Sequence, residues 1–529
     1  MKTFYQSLLL AISALALAGT AFAQVPSTND TSDANHNTGM GSGALGLTGT
    51  SNGSYNTASG YETLYGNVSG SYNTAFGSLA LYFNTTGANN AAFGVQALYS
   101  NTTGGNNAAS GGGALALNTT GGNNTASGYQ ALYSNTTGSY NTSSGYQALY
   151  SNTMGTYNTS SGYQALYSNT TGGNNTASGA FALFFNTSGT LNTASGDEAL
   201  YSNTTGNNNS AFGFFALYFN TTGSDNAASG EGALGSNTSG SDNTASGGQA
   251  LYSNSTGADN TASGFQALFS NMTGSANTAT GYKALFANKI GVQNTAAGEV
   301  ALFHNKSGDF NTAVGYGTLH ANTSGKYNVA LGWEAGYNLT TGSNNIDIGN
   351  PGESTDGVAA DSGVIRIGTQ SPTALQTLTY IAGIYDNTTV SGLAVVVDSN
   401  GQLGTVSSSE RFKTGIAPMG SNTAKLQKLR PVTFQYKADP QGTLRYGLVA
   451  EEVAKVYPEL VIRDQKGRID GVRYDELAPM LLNEMQQQAA ELRKLKLQQK
   501  AVSELQKQLS EMHAALVQLQ SKDEFVAKR

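Results

Sequence analysis

The chain of 529 residues contains 67 Gly and no Cys, and only 11% of its residues are charged. This length exceeds one ordinary domain, so several folding units are expected. The absence of Cys excludes disulfide frameworks, thiol catalysis and zinc–thiolate sites. The low charged fraction is not typical of a disordered protein.

The net charge of −7 is unevenly distributed. Between Gln24 and Gly404 the chain has 5 Lys or Arg against 18 Asp or Glu, and from Thr405 onward it has 20 against 15. No basic stripe accompanies aromatic residues, so nucleic-acid binding is not expected. Asp is scarce and out of register with the repeat described below, which disfavours a calcium-binding repeat. We expect no metal site and no cofactor.

The N-terminal segment, Met1–Ala23, has the pattern of a secretory signal peptide. Lys2 supplies the positive charge, Leu8–Ala18 is the apolar segment, and a small-x-small sequence ends at Ala23. The apolar run is too short for a transmembrane anchor. The pattern predicts cleavage between Ala23 and Gln24 and a secreted or cell-surface protein without a membrane span. Residues 24–40 then form a polar leader.

A 17-residue repeat occupies residues 41–349. The unit beginning at Asn124 reads Asn-Thr-Ala-Ser-Gly-Tyr-Gln-Ala-Leu-Tyr-Ser-Asn-Thr-Thr-Gly-Ser-Tyr. Four of its positions recur in every unit without insertion or deletion: a first Gly from Gly43 to Gly349, a second Gly from Gly53 to Gly342, a Leu from Leu47 to Leu319, and an Asn from Asn56 to Asn345. This strict register indicates that every unit adopts the same conformation.

The repeat predicts a mainly β fold, a parallel β-solenoid or β-roll with one unit per coil. Two Gly per unit predict two backbone bends, and the intervening Thr, Ser, Tyr, Phe and Leu suit short strands. Identical positions would stack, giving an apolar Leu column, a narrow interior lined by Ala or Ser, and Asn ladders such as Asn67, Asn84 and Asn101. At roughly 4.8 Å per coil the rod would be on the order of 85 Å long.

The recurring Asn-Thr-Ala-x-Gly motif is similar to the head repeats of YadA-like trimeric adhesins, whose units are shorter. This resemblance implies a trimeric left-handed β-roll and an adhesive role, with a glycan or protein receptor as a possible partner.

Other interpretations of the array remain open. Its Asn-Thr-Thr and Asn-Thr-Ser sequences match the N-glycosylation acceptor pattern, although turn and ladder residues explain them equally. The stacked Thr residues could form an ice-binding face. Aromatic residues follow the Leu column and could form either an adhesive stripe or a packing surface: Tyr133, Tyr150, Tyr167, Phe184 and Tyr201.

Residues 350–407 are predicted to form a β-rich neck after the repeat degrades beyond Trp333. The candidate strands are Asn344–Gly349, Val364–Gly368, Tyr380–Tyr385 and Leu393–Val397, followed by a turn at Asp398–Gly401 and the segment Gln402–Val406.

Residues 408–474 carry a series of motifs that resemble the self-cleaving intramolecular chaperone domain of phage endosialidases and other tail spikes. The motifs are Ser408-x-x-Arg411-x-Lys413, Leu429-Arg430-Pro431-Val432-Thr433-Phe434-x-Tyr436-Lys437, Tyr446-Gly447-Leu448-Val449-Ala450-Glu451-Glu452-Val453, Tyr457-Pro458-Glu459-Leu460-Val461 and Val472-x-Tyr474-x-x-Leu477. The resemblance implies a small α+β chaperone domain.

In that family a Ser-Lys dyad cleaves the chain beside the Ser after the trimer has folded. The resemblance assigns Ser408 as nucleophile, Lys413 as base, Arg411 as a supporting charge and Ser408–Ser409 as the cut bond. A Ser hydroxyl attacks only when a base takes its proton, and an amine is such a base only when its pKa is lowered. Ser409 replaces the Asp often found there. The alternatives are a single-turnover autopeptidase and a retained, uncleaved chaperone.

Residues 475–521 show alternating four- and three-residue apolar spacing, which predicts a parallel coiled coil. The core positions are Ala478, Leu481, Met485, Gln488, Leu492, Leu495, Gln499, Val502, Leu505, Leu509, Met512, Leu516 and Leu519. An extra three-residue step from Val502 to Leu505 locally overwinds the coil. The resemblance implies a homotrimer, and residues 522–529 form a short tail. The sequence thus predicts a secreted, fibre-like surface protein, either an adhesin or a structural shaft.

Overall fold

The computed structural model describes residues 33–46, 53–350, 359–368, 395–397, 403–437, 441–464 and 466–526. Contacts divide the chain into two units, Met1–Thr388 and Thr389–Arg529. The predicted signal cleavage at Ala23–Gln24 lies outside the described residues. The same holds for the neck segment Tyr380–Tyr385 and the turn at Asp398–Gly401, so these remain predictions.

The repeat array forms a parallel β-solenoid, as its sequence predicts. Each coil contributes one three-residue strand, and neighbouring strands pair in parallel. The strands are β1 Thr38–Met40, β2 Thr57–Ser59, β3 Thr74–Phe76, β4 Ala91–Phe93, β5 Ala108–Ser110, β6 Thr125–Ser127, β7 Thr142–Ser144, β8 Thr159–Ser161, β9 Thr176–Ser178, β10 Thr193–Ser195, β11 Ser210–Phe212, β12 Ala227–Ser229, β13 Thr244–Ser246, β14 Thr261–Ser263, β15 Thr278–Thr280, β16 Thr295–Ala297, β17 Thr312–Val314, β18 Val329–Leu331, β19 Ile346–Ile348 and β20 Ile365–Ile367.

The coils from β2 to β19 keep the repeat length, whereas the first and the last coil are longer by two. Thr38 pairs with Thr57, and Ile346 pairs with Ile365. The prediction of an uninterrupted register from Gly43 is therefore wrong at the first coil. Gly41, with φ +117°, takes the place that Gly60 fills in the next coil. The two extra residues of the first coil lie between β1 and β2, a segment that the structure describes only in part.

The segment that follows the first Gly of each unit is a series of turns, not the strand that its composition predicts. Alternate residues adopt left-handed φ, for example Gln130 at +54° and Leu132 at +53°. The Gln130 N–H donates to Gly112 O of the preceding coil, and the Leu132 N–H donates to Ala148 O of the next. These bonds satisfy the backbone on both sides and hold a conformation that such residues seldom adopt alone.

The interior is built from the columns that the sequence predicts. The Leu residues from Leu64 to Leu319 and the small residues at the strand centres are buried. Two Asn ladders run beside them. In one, Asn84 Nδ2 donates to Asn67 Oδ1 at 2.8 Å, and in the other the Asn73 N–H donates to Asn56 Oδ1 at 2.9 Å. Buried amides are thus hydrogen-bonded along the axis, as burial of polar groups requires.

The two Gly columns are required for different reasons. Gly128 has φ +135°, which residues with a side chain rarely adopt. Gly138 is needed for close approach, because an added Cβ would overlap Gly155 O and lie 2.8 Å from Asn152 Nδ2. Only one of the two positions is therefore a left-handed bend.

The regular core ends at the last coils, where other residue types replace the repeated Leu, Asn and Ala. Gly336 takes the position of the Leu column, and Leu339, which takes the Asn position, packs beside it. The Asn ladder then lacks its next donor, and buried Asn322 Oδ1 has no hydrogen-bond partner among the described residues. Asp347 replaces the interior Ala in β19.

The described residues of the C-terminal unit form three antiparallel strand pairs and two α-helices. The pairs are β21 Val396–Val397 with β22 Leu403–Gly404, β23 Val432–Phe434 with β24 Arg445–Gly447, and β25 Val461–Arg463 with β26 Ile469–Val472. The helices are α1 Ala450–Val456 and α2 Tyr474–Val526, and 3₁₀ helices span Glu410–Phe412, Gly420–Lys428 and Pro458–Leu460. The small core comprises Leu426, Val453, Tyr457, Leu460, Val461 and Val472.

Helix α2 begins just before the predicted helix and continues past its predicted end at Ser521. Its apolar positions Leu481, Met485, Leu492, Leu505 and Leu516 are each more than half exposed. The coiled coil remains a prediction, since a single chain leaves this seam uncovered. Every helix in the described part of the chain is too short or too polar to span a bilayer.

Candidate self-cleavage site

A short 3₁₀ turn shapes the segment that carries the predicted dyad. The Phe412 N–H donates to Ser409 O at 3.1 Å, and the Lys413 N–H donates to Glu410 O at 2.9 Å. Ser409 before the turn and Lys413 after it are both extended. The turn shortens the path between the two extended segments, and the side chain of Lys413 reaches Ser408.

The structure brings Ser408 and Lys413 together. Lys413 Nζ lies 3.2 Å from Ser408 Oγ and donates a hydrogen bond to it. This is the separation at which an amine could instead accept the hydroxyl proton, once the amine is neutral. Both residues are exposed in the single chain.

Arg411 contacts the Phe412 ring, and its predicted supporting role remains a prediction. Its guanidinium carbon lies 4.6 Å from the centroid of the Phe412 ring, a cation–π contact. The neighbouring serines are also placed differently from Ser408: the Ser409 N–H approaches Ser407 Oγ at 3.4 Å. Among Ser407, Ser408 and Ser409, the described contacts join Ser408 alone to the lysine.

An ion pair that the sequence motifs do not reveal joins the chain before β23 to helix α1. Arg430 donates two hydrogen bonds to Glu452, at 2.6 and 3.2 Å. The hydrogen bond from Arg430 lowers the pKa of the Glu452 carboxyl, and the same bond raises the pKa of the Arg430 guanidinium. The pair orients Arg430 geometrically, which a lysine at the same position would not reproduce.

Helix α2 is tied to the rest of this unit at its first turns. The Leu448 N–H donates to Tyr474 Oη at 2.8 Å, and Asn483 Nδ2 donates to Thr423 Oγ1 at 2.7 Å. Gln427 Nε2 donates to Glu484 Oε1 at 3.0 Å. The start of the helix is thereby fixed to the body that follows the dyad.

Large apolar side chains near the dyad and on the β23–β24 pair are uncovered. Phe412 and Ile416 are 64% and 65% exposed, and Tyr446 on β24 is 80% exposed. Exposed apolar groups of this size mark interaction surfaces in many proteins.

The site lies in the part of the chain that comparisons with known proteins recognise. Residues 408–462 match the family model described as chaperone of endosialidase. No curated protein and no solved structure matches the chain. The match begins at Ser408 and includes Lys413, the β23–β24 pair and helix α1. Residues 408–462, in the C-terminal part of the chain, are therefore identified as an intramolecular chaperone domain of the endosialidase type.

Proposed function

We propose that the protein is a secreted, homotrimeric, fibre-like surface protein whose C-terminal domain assembles the solenoid shaft and then cleaves the chain beside Ser408. The contact of 3.2 Å between Lys413 Nζ and Ser408 Oγ, at the start of the chaperone domain, is the observation that carries the cleavage. The signal-peptide pattern of residues 1–23 supports export.

The chemical step is acyl transfer followed by hydrolysis. Neutral Lys413 accepts the Ser408 hydroxyl proton while Oγ attacks a peptide carbonyl carbon, and the ammonium returns that proton to the leaving amide nitrogen. Water then hydrolyses the ester and regenerates Ser408. Lysine becomes neutral at physiological pH only when buried or beside other cations, and the dyad of the single chain is exposed. Assembly would supply the missing burial.

The geometry of ring closure distinguishes two cleavage routes. Attack of Ser408 Oγ on its own carbonyl, which would cut the proposed Ser408–Ser409 bond, closes a strained four-membered ring. That bond therefore requires the Ser408 hydroxyl of a neighbouring copy. Attack within one chain falls instead on the Ser407 carbonyl through a five-membered ring and cuts the Ser407–Ser408 bond. The first residue of the released domain, Ser409 or Ser408, identifies the route.

Trimer formation is proposed from the uncovered seam of helix α2. Burying its exposed leucines and methionines between three copies would supply the association energy. A parallel helical bundle would also align three shafts that are otherwise able to slip past one another by whole repeats. Removal of the bundle after folding would make assembly irreversible in practice.

The cleavage experiment compares the full-length wild type with Ser408→Ala and Lys413→Ala on denaturing gels, with Ser407→Ala and Ser409→Ala as matched controls. We expect two fragments for the wild type and both controls, and a single full-length band for the two dyad variants. Light scattering of Ser408→Ala tests the trimer separately. A wild type that folds and stays full length would contradict self-cleavage. The mass from light scattering would still decide separately whether the protein is a trimer.

A second candidate function is ice binding with a retained chaperone. In β5 to β9 the two flanking residues, mostly Thr and Ser, are exposed while the central residue is buried, which gives a regular hydroxyl-rich face. Thermal hysteresis of the purified chain tests it, with Thr142→Lys as the disrupting variant. Glycan stacking on the aromatic column is less favoured, because rings such as Tyr133 and Tyr150 face each other at 5.1 Å and cover one another.

A further inference from the structure

The aromatic side chains of the solenoid are concentrated in one stretch. Seven of the 20 Phe residues lie between Phe181 and Phe219. Phe185, Phe215 and Phe219 are 43%, 36% and 51% exposed. The fold of the repeat does not require these rings. Gln130 fills the repeat position of Phe215, and Ser134 fills that of Phe185 and Phe219.

Phe181 and Phe215 flank Glu198 along the axis of the shaft, and we call this pair of rings the frame. Glu198 occupies the same repeat position as Phe181 one coil before and Phe215 one coil after. Backbone bonds hold these coils together: the Glu198 N–H donates to Ala180 O at 2.9 Å, and the Phe215 N–H donates to Asp197 O at 3.2 Å. Side chains at this position reach one another along the axis elsewhere, as the 2.9 Å amide bond from Gln147 to Gln130 shows.

The two flanking rings stand across the aromatic column instead of stacking within it. Tyr201 and Tyr218 stack at 5.1 Å with an angle of 3° between their planes. Phe181 crosses Tyr201 at 72°, and Phe215 crosses Tyr218 at 64°. The Phe214 ring lies 3.8 Å from the Phe215 ring at 30° and covers part of it, but Phe215 remains partly exposed, as does Phe181. Exposed π faces attract cations.

The carboxylates of Asp197 and Glu198 have no positive partner among the residues that the structure describes. Neither Asp197 nor Glu198 forms an ion pair in the described part of the chain, and burial raises the pKa of the Glu198 carboxyl, with Asp197 adding to the effect. The sequence contains no Lys or Arg between Lys2 and Lys283. A second copy aligned in register would therefore bring no lysine or arginine to this level either. A lysine or arginine at this level would have to come from another part of the chain or from another molecule.

The chain itself shows that a cation fits this repeat position. Lys283 occupies the position of Glu198 in a later coil, and its Nζ lies 5.1 Å from the Tyr282 centroid and 5.5 Å from the Phe286 centroid. In the coil of Glu198 an anion takes that place between phenylalanine rings. Rings and carboxylate together match a planar guanidinium, which stacks on aromatic faces and pairs with a carboxylate.

We propose that Glu198 and Asp197, framed by Phe181 and Phe215, form a docking site for an arginine side chain of a partner protein. The flat guanidinium would lie against the phenylalanine faces while its N–H groups bond to the Glu198 carboxylate. The shaft would thus bind a basic partner protein. This binding does not depend on cleavage at Ser408.

The test measures binding of a fluorescently labelled Gly-Arg-Gly-Arg-Gly peptide to the full-length protein by anisotropy. The matched probe replaces both arginines with citrulline, which keeps the shape and removes the charge. We expect the arginine peptide to bind at least about tenfold more tightly than the citrulline peptide, with Glu198→Gln abolishing most of that difference and Phe215→Ala weakening binding several-fold. Ser408→Ala should bind like the wild type.

Glu62→Gln is the control variant, because Glu62 has the same repeat position without flanking phenylalanines. It should change the affinity less than about twofold if the framed site is responsible. Equal binding of the two peptides, or equal losses in Glu198→Gln and Glu62→Gln, would overturn the proposal. So would preferential binding of phosphatidylcholine vesicles, which would assign the frame to a quaternary ammonium headgroup. Unchanged circular dichroism verifies that each variant is folded.

Discussion

Asp347 Oδ1 lies 3.6 Å from the Arg366 guanidinium, at the point where the interior column of small residues ends. Asp347 is 2% exposed, and in the part of the chain that the structure describes its second carboxylate oxygen has no hydrogen-bond partner. Arg366 is shared, because it also forms an ion pair with Asp361. Burial raises the pKa of the Asp347 carboxyl, and the opposing effect of Arg366 does not cancel this.

This raised pKa predicts that mild acid tightens the last coil. A carboxyl whose pKa is higher in the folded than in the unfolded chain favours folding when protonated, and this contribution is lost as the pH rises through the folded pKa. We expect slower hydrogen exchange, after correction for intrinsic rates, in residues 346–350 and 359–368 as the pH falls from 8 towards 5. Asp347→Asn should be protected at both pH values, and Asp242→Asn should behave like the wild type. Loss of protection in Asp347→Asn would show that the charge pair stabilises the coil.

Deleting one amide from the ladder should loosen several coils. Asn203 Nδ2 donates to Asn186 Oδ1 and Gly206 O, and Asn203 Oδ1 accepts from Asn220. Asn203→Ala removes three buried hydrogen bonds and leaves their partners unsatisfied, a loss of about 3 kcal/mol or more. The measurement is the urea midpoint of the shaft together with hydrogen exchange around residues 186–220. Thr205→Ala, on the exposed turn, is the control and should stay within about 0.5 kcal/mol of the wild type.

Gly240, in the second Gly column, is closely approached by the backbone of the next coil, whereas Gly248, outside both columns, is not. A Cβ on Gly240 would overlap Gly257 O and lie 2.6 Å from Asn237 Oδ1, whereas a Cβ on Gly248 would lie 3.4 Å from the Phe265 ring. Gly240→Ala should destabilise the shaft by several kcal/mol or prevent its folding. Gly248→Ala should be neutral or stabilising by about 0.4–1 kcal/mol. Thermal unfolding of the two variants compares them directly, and equal midpoints would contradict the stacking geometry.

Folding should conceal most of the N-glycosylation acceptor sequences. In Asn203-Thr204-Thr205 the Asn side chain is fully buried, whereas Asn208, which begins the acceptor sequence Asn208-Asn209-Ser210, is exposed. An oligosaccharyltransferase reaction in vitro should modify Asn203 only in urea-unfolded protein. Asn208 should be accessible in the folded chain as well. Glycopeptide mass spectrometry reads both sites, and a glycan on Asn203 of the folded shaft would contradict the buried ladder.

The sequence predicts most of the regular solenoid and little of its ends. The Leu column and the Asn67–Asn84 bond follow from strict periodicity, because identical coils must place identical residues in contact. The longer coils that begin at Thr38 and Ile346 do not follow, since extra residues in a loop leave no periodic signal. The left-handed turn at Leu132 does not follow either, because bonds to both neighbouring coils, and not local propensity, select it.

In the candidate site, too, some contacts can be predicted from the sequence and others cannot. The Ser408–Lys413 contact follows from motif spacing, because a short turn returns the lysine to the serine. The orientation of Arg411 towards Phe412 does not, since a flexible cation selects among several neighbours that sequence does not rank. The Arg430–Glu452 pair joins residues 22 positions apart and depends on how the unit folds back on itself.

The amides of both Asn ladders point in one direction along the shaft. In the first ladder Nδ2 donates to Oδ1 of the preceding coil, as Asn101 does to Asn84. In the second ladder Oδ1 accepts from the following coil, as Asn107 does from Asn124, whose Nδ2 also donates to Gly138 O. Aligned amide dipoles add, as they do in an α-helix. A shaft with few charges thereby acquires a negative pole at its C-terminal end and a positive pole at its N-terminal end. Arg366 lies at the negative pole, where a cation is electrostatically favoured.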